Sequence, residues 1–175
     1  PHFKAENVVI VLPNEYMLFP VLHALPKALN EINITMGFPL KDTPIYALLE
    51  SILMLQNTRR SAVHVDIFYH KPVIAILEHP LIYGLDVTRF KELNAKIKKY
   101  NLVFVGESHI PLNSPLLKLI FSKPENPLDY LLEILKSFED QSEIEKDGLD
   151  SAFILKYYQH IFQLREVLGV QVDLL

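Results

Sequence analysis

The chain has 175 residues, half of them apolar and 22% charged, with a formal charge of −4. That suffices for one domain or one and a half small ones with a real core, and it excludes a free-standing, strongly basic nucleic-acid binder. The absence of cysteine excludes disulfides, zinc-thiolate sites and thiol nucleophiles.

Residues 8–12 (VVIVL) form an apolar run ahead of Pro13-Asn14, the pattern of a strand buried on both faces of a parallel sheet. Asn14 is a candidate N-cap with Glu15 in the first turn behind it. The helix it opens carries Leu18, Leu22 and Leu25 on one face, and Pro20 and Pro26 predict a kink or an early stop. Residues 32–36 read as a second short strand, broken by Gly37 and Pro39. Asp42 or Thr43 then caps a helix with Pro44 at its first position and an apolar stripe of Ile45, Leu48, Leu49, Ile52, Leu53 and Leu55. Strand, helix and strand in this order imply a parallel pair with a right-handed crossover.

Residues 61–70 alternate, with Val63, Val65, Ile67 and Tyr69 on one face; they suit a strand, or the lead into a helix running through Ile76. Helical patterns cover 71–77, 87–100, 115–121, 127–139 and 149–168, with a short apolar strand at 102–105 and an acidic linker at 140–150. The expected fold is α/β, a small parallel sheet in residues 1–57, followed by a mainly α-helical part in residues 58–175.

No GxxxxGK[ST], GxGxxG or GxSxG motif occurs, and no acidic residue stands two before a lysine. The phosphate cradle, the dinucleotide fingerprint, the nucleophile elbow and the PD-(D/E)xK nuclease core are therefore missing. Some polar groups still invite a site. His64, Asp66 and His70 have a metal-phosphoesterase look, set against the plainer reading of a solvated strand face opposite Val63, Val65 and Ile67. Gly106-Glu107-Ser108-His109 follows a strand, where α/β active sites often lie, although a polar loop is the simpler account. Arg59-Arg60 and the group Lys91, Lys96, Lys98 and Lys99 are the basic clusters, able to contact phosphate or simply to solvate a helix face beside Glu92. Phe153, Tyr157, Tyr158 and Phe162 stand at helical spacing, which suits core or docking before base stacking.

The stretches VVIVLPNEYMLFPVLHAL and INITMGFPLKDTPIYALLESIL resemble the AddB/RexB-like subunit of bacterial helicase–nucleases, and more broadly the start of the second motor domain of UvrD/Rep-type superfamily-1 helicases. The resemblance covers residues 1–57; beyond them there is a general likeness to the helical insertion called domain 2B. It implies a RecA-like start to the fold, a role in DNA double-strand-break repair, DNA contact through a full-length protein, an AddA-like helicase partner and a cytoplasmic setting. The helicase glutamine and nucleotide-contacting arginine fall on Met17 and Phe19, and apolar side chains cannot bond a γ-phosphate. The expectation is thus a non-catalytic segment without cofactor or metal, with Arg59, Arg60, Lys96, Lys98 and Lys99 as its nucleic-acid contacts. The alternative is a protein–protein interaction domain without DNA contact; a small α/β hydrolase-like or metal-dependent enzyme using His64, Asp66 and His109 is a third reading. Pro1-His2-Phe3-Lys4 lacks the layout of a signal peptide, no apolar run is long enough to span a bilayer, and both ends read as those of an excised piece.

Overall fold

The computed structural model describes residues 8–26, 29, 32–35, 37–62, 65–139 and 149–172. The chain divides into two units, Pro1–Asp42 and Thr43–Leu175. In the first, Asn14 caps as its position suggests: its Oδ1 accepts the Tyr16 N–H at 3.0 Å. A 3-10 turn over Glu15–Met17 passes into α1 (Leu18–Ala24), which stops at Leu25, extended as a residue before proline tends to be. Phe19 packs edge to face on Phe38, 4.8 Å between centroids.

The expected parallel sheet is not formed. Val8, Val9, Ile10 and Val11 are exposed and belong to no strand, and neither do residues 32–35; Met36 lies outside the described residues. A strand persists only where neighbours take up its N–H and C=O groups, and no described residue does so here. Valine and isoleucine supply β-propensity, but propensity is mostly packing context. The chain is mostly helical with a small antiparallel sheet, which overturns the α/β fold with a RecA-like start.

The second unit is built around α2 (Pro44–Thr58), with Pro44 at its first position. Ile45, Leu48, Leu49, Ile52 and Leu55 recur on one face and are at most 5% exposed, whereas Leu53 faces outward. Each such burial contributes about 1.5–3 kcal/mol. Arg59 leaves the helix in an extended conformation, and β1 (Arg60–Ala62), β2 (Val65–Tyr69) and β3 (Phe104–Gly106) form an antiparallel sheet in the order β1-β2-β3. Its register pairs Arg60 with Ile67, Phe68 with Val105 and Tyr69 with Phe104. Residues 61–70 are therefore not one strand: Ser61 and Ala62 lie in β1, opposite Asp66 and Val65 of β2, and Val63 lies outside the described residues. The alternative lead into a helix through Ile76 is met where β2 runs directly into α3 (His70–Leu77).

Between β2 and β3 follow α4 (Pro80–Tyr83) and α5 (Val87–Tyr100). Asp86 caps α5, accepting the Arg89 N–H at 3.1 Å. The helix ends at Asn101 in the left-handed region (φ 49°), a conformation asparagine tolerates well. Then α6 (Pro115–Phe121), capped by Ser114, and α7 (Pro127–Glu139), headed by Asn126, lead to α8 (Leu149–Val172), which packs along α7 and on α2. The bounds of α6 and α7 match the helical pattern of the sequence because a serine or asparagine cap, followed by proline at the first position, punctuates each start; α8 runs on to Val172, past the expected end at 168. Phe68, Ile76, Phe90, Val105, Phe121, Ile134 and Phe138 fill one core with the α2 face.

His79 ties the start of α4 to the start of α2. Its Nε2 lies 3.0 Å from the Pro44 carbonyl and its Nδ1 accepts the Leu81 N–H at 3.3 Å, so the neutral ring fits and a second proton would face a donor. Burial lowers its pKa below the ordinary 6.5, outweighing the Pro44 bond and the Asp150 charge that act the other way. Because the unfolded chain then takes up a proton more readily, this contribution to stability is present above 6.5 and is lost as the pH falls below it. Urea unfolding midpoints should therefore drop between about pH 7.5 and 5.5, and His79→Asn, which keeps a cap but does not titrate, should flatten that drop. An equal drop in the variant would contradict this role.

Candidate nucleic-acid interface

Side chains alternate across a strand, so the register decides what each face of the small sheet carries. One face holds Phe68 and Val105 and lies on the core, with Phe68 5.3 Å from Phe121 edge to face. Arg59 turns to this side. Its guanidinium sits 4.9 Å above the Phe68 ring, donates to the Phe121 carbonyl and pairs with Asp66 at 3.2 Å, leaving 7% of its side chain exposed. Asp66 also accepts the Ser61 hydroxyl at 2.7 Å. Beside this group Gln56 donates to the carbonyls of Ile120 and Ser122 and to the Tyr130 hydroxyl, and Tyr130 donates to Ile120 O at 2.6 Å. Burial pushes the Tyr130 phenol up to about 12, against the opposing effects of Gln56 and Arg59, so it remains a donor at ordinary pH.

The other face carries Arg60, Val65, Ile67, Tyr69 and Phe104. The exposed Arg60 guanidinium lies 4.5 Å over the Phe104 ring; Phe104 is 6.1 Å from Tyr69; the Lys71 ammonium is 6.0 Å from the Tyr69 centroid. His70 meets Tyr69 edge to face at 4.8 Å and is held by its Nδ1, 3.1 Å from Val103 O. The result is a row of cation, ring, ring and cation on a partly exposed sheet face.

Of the anticipated contacts, Arg60 joins this row, whereas Arg59 is turned inward and acts as a structural ion pair. Lys96 lies apart on a cleft of about 330 Å³ together with Arg89, Glu92, Ser108 and His109. Lys98 and Lys99 occupy the last turn of α5, where cations suit the helix dipole, and Lys99 covers the Tyr100 ring. Tyr69, Lys71 and Phe104 were missed by the sequence reading; the alternation of residues 61–70 with arginines before it and a lysine after it was the available signal. That reading also placed Asp66 on the solvated side, when Asp66 faces Arg59.

Among the described residues, the remaining polar groups singled out in the sequence are engaged elsewhere or stand apart. Asp66 is engaged with Arg59 and Ser61, His70 with Val103 O, and His64 lies outside the described residues; no group of three potential metal ligands occurs among the described residues. Ser108 Oγ is 3.5 Å from His109 Nδ1 on an exposed 3-10 turn, too long for efficient proton transfer. Met17 is half-exposed and Phe19 is packed on Phe38, so neither position offers a polar group to nucleotide. A larger cleft of about 580 Å³ along α7 and α8 balances Lys123, Lys136 and Arg165 against Glu125, Asp129 and Glu133, and Arg165 binds Asp129 there at 3.2 Å. Balanced charge gives it no preference for an anion.

No family model matches the chain, and neither a curated protein nor a solved structure matches it. No helix among the described residues is long and apolar enough to cross a membrane.

The opposite fates of the two arginines are measurable. Asp66→Asn leaves a buried guanidinium without its counter-charge and should destabilise the fold by roughly 2–3 kcal/mol in urea titrations, less than for a fully buried pair because Asp66 is partly exposed. Arg60→Ala should cost at most about 1 kcal/mol. Equal costs would refute the division of labour.

Proposed function

We propose that the chain is a non-catalytic segment of an AddB-like helicase–nuclease subunit that contacts DNA during double-strand-break processing in the cytoplasm, alongside an AddA-like motor. The sequence likeness of residues 1–57 supports this parentage through its residues, not through a motor-lobe fold. Apolar Met17 and Phe19 support a role without nucleotide hydrolysis. The observation that carries DNA contact is the partly exposed row of Arg60, Phe104, Tyr69 and Lys71, because cations backed by aromatic rings match a phosphate chain bearing bases. The overall charge of −4 makes such contact local, with Lys96, Lys98 and Lys99 as a second, weaker basic group.

A protein-docking role without DNA contact is the competing reading. It is favoured by the exposed apolar residues Val9 and Val11, and by Leu155, Phe162, Leu164 and Val167 on α8.

Titration of labelled DNA over a range of salt concentrations separates the two. Affinity should fall with salt with a log–log slope of roughly −1.4 to −2.1 for a single strand, or roughly −1.8 to −2.7 for a duplex, as expected for two or three neutralised phosphates. Arg60→Ala with Lys71→Ala should weaken binding and flatten the slope by roughly 1.4 to 1.8, for two lost phosphate contacts, more than replacement of Lys96, Lys98 and Lys99 does. No binding of any DNA at low salt would leave the docking reading in place.

A further inference from the structure

We infer that the outer sheet face is a platform for an unpaired polynucleotide strand, with bases stacked on Tyr69 and Phe104 and phosphates drawn to Arg60 and Lys71. This rests on the DNA-contacting reading above and specifies the form of DNA. The rings are 6.1 Å apart and inclined at 53°, whereas successive bases of a duplex strand rise by about 3.4 Å in parallel planes. Two neighbouring bases can lie on both rings only if they are splayed apart, and that freedom belongs to single strands. Both rings sit on strands, paired across β2 and β3, so their spacing is set by the sheet and not by a loop.

The electrostatics suit the same ligand. Arg60 and Lys71 lie over the two rings, 4.5 Å and 6.0 Å from their centroids. Both side chains are exposed, so an arriving base displaces them toward its phosphates or, at Phe104, stacks on the guanidinium plane itself. The acidic group nearest in sequence on β2, Asp66, points to the opposite side and is neutralised by Arg59. Glu107, which directly follows β3, carries a carboxylate that is exposed to solvent. The face therefore offers two cations, with no carboxylate of the described strands β1–β3 pointing to its side, and half-exposed rings in place of a groove that a helix or duplex would enter.

Fluorescence anisotropy with labelled oligothymidylate, oligouridylate and a duplex of the same length tests this with the intact chain at low salt. Oligothymidylate should bind about tenfold or more tightly than duplex, and at least as tightly as oligouridylate. Tyr69→Leu and Phe104→Leu should each weaken single-strand binding by roughly 5- to 100-fold with little effect on duplex binding, while Tyr69→Phe, which keeps the ring, should bind as the parent does. Circular dichroism of each variant checks that it is folded, and quenching of tyrosine fluorescence by the bound strand, reduced in Tyr69→Phe, reads the stack directly in a variant that preserves the core. Equal affinity for duplex and single strand, or a folded Tyr69→Leu with unchanged affinity, overturns the stacking platform while leaving DNA contact intact. Markedly tighter oligouridylate binding overturns the assignment to DNA. Failure to bind any of the three overturns both this inference and the reading beneath it.

Discussion

The burial of Arg59 with Asp66 against Phe68 and Phe121 is the constraint from which the rest of the surface follows. Strand side chains have a period of two, so a strand that sends Phe68 inward must send Ile67 and Tyr69 outward. Arg59, one residue before β1, turns in, and Arg60 must turn out. The 3.2 Å ion pair holds this choice on the sheet's inner face, where slipping by one residue would bury Arg60 and expose Phe68. Specificity of register is thus the main contribution of a pair whose net stabilisation is small once desolvation is counted.

Behind the sheet, the helical body keeps that face rigid. The apolar side of α2 is continuous with the core residues of α3, α5, α6 and α7. The end of α2 is fastened to the end of α6 and to α7 by Gln56 and Tyr130, whose hydrogen bonds reach carbonyls that the last turn of α6 leaves without helical partners. A rigid support matters for a stacking surface, because rings held by a sheet need not be ordered when a ligand arrives. Among the described residues, His79, Asp86, Ser114 and Asn126 each use their side chain to cap a helix start.

Much of the helical architecture was legible in the residues, and the sheet much less so. Helices α2, α5, α6 and α7 begin at Thr43-Pro44, Asp86, Ser114-Pro115 and Asn126-Pro127, local signals that need no tertiary context. Strands lack such signals. Residues 8–12 have stronger β-propensity than residues 60–62, yet only the latter find partners to pair with. The direction of a strand face is equally non-local: Asp66 reads as solvent-facing until Arg59 is seen to reach it, and Phe104 reads as a buried strand residue until Arg60 is found above its ring. Which of two adjacent arginines serves the fold and which serves the surface depends on a register that sequence patterning alone leaves open.

The central claim is that nucleic acid lies on the sheet face bearing Arg60, Tyr69 and Phe104. Photo-crosslinking of the intact chain to a single strand carrying 5-iodouracil, followed by mass spectrometry of the adducts, locates the contact without altering the protein. Adducts on Tyr69 and Phe104 are the predicted result. Adducts confined to α5 around Lys96 and Tyr100, or to the α7–α8 cleft at Tyr158, would contradict it.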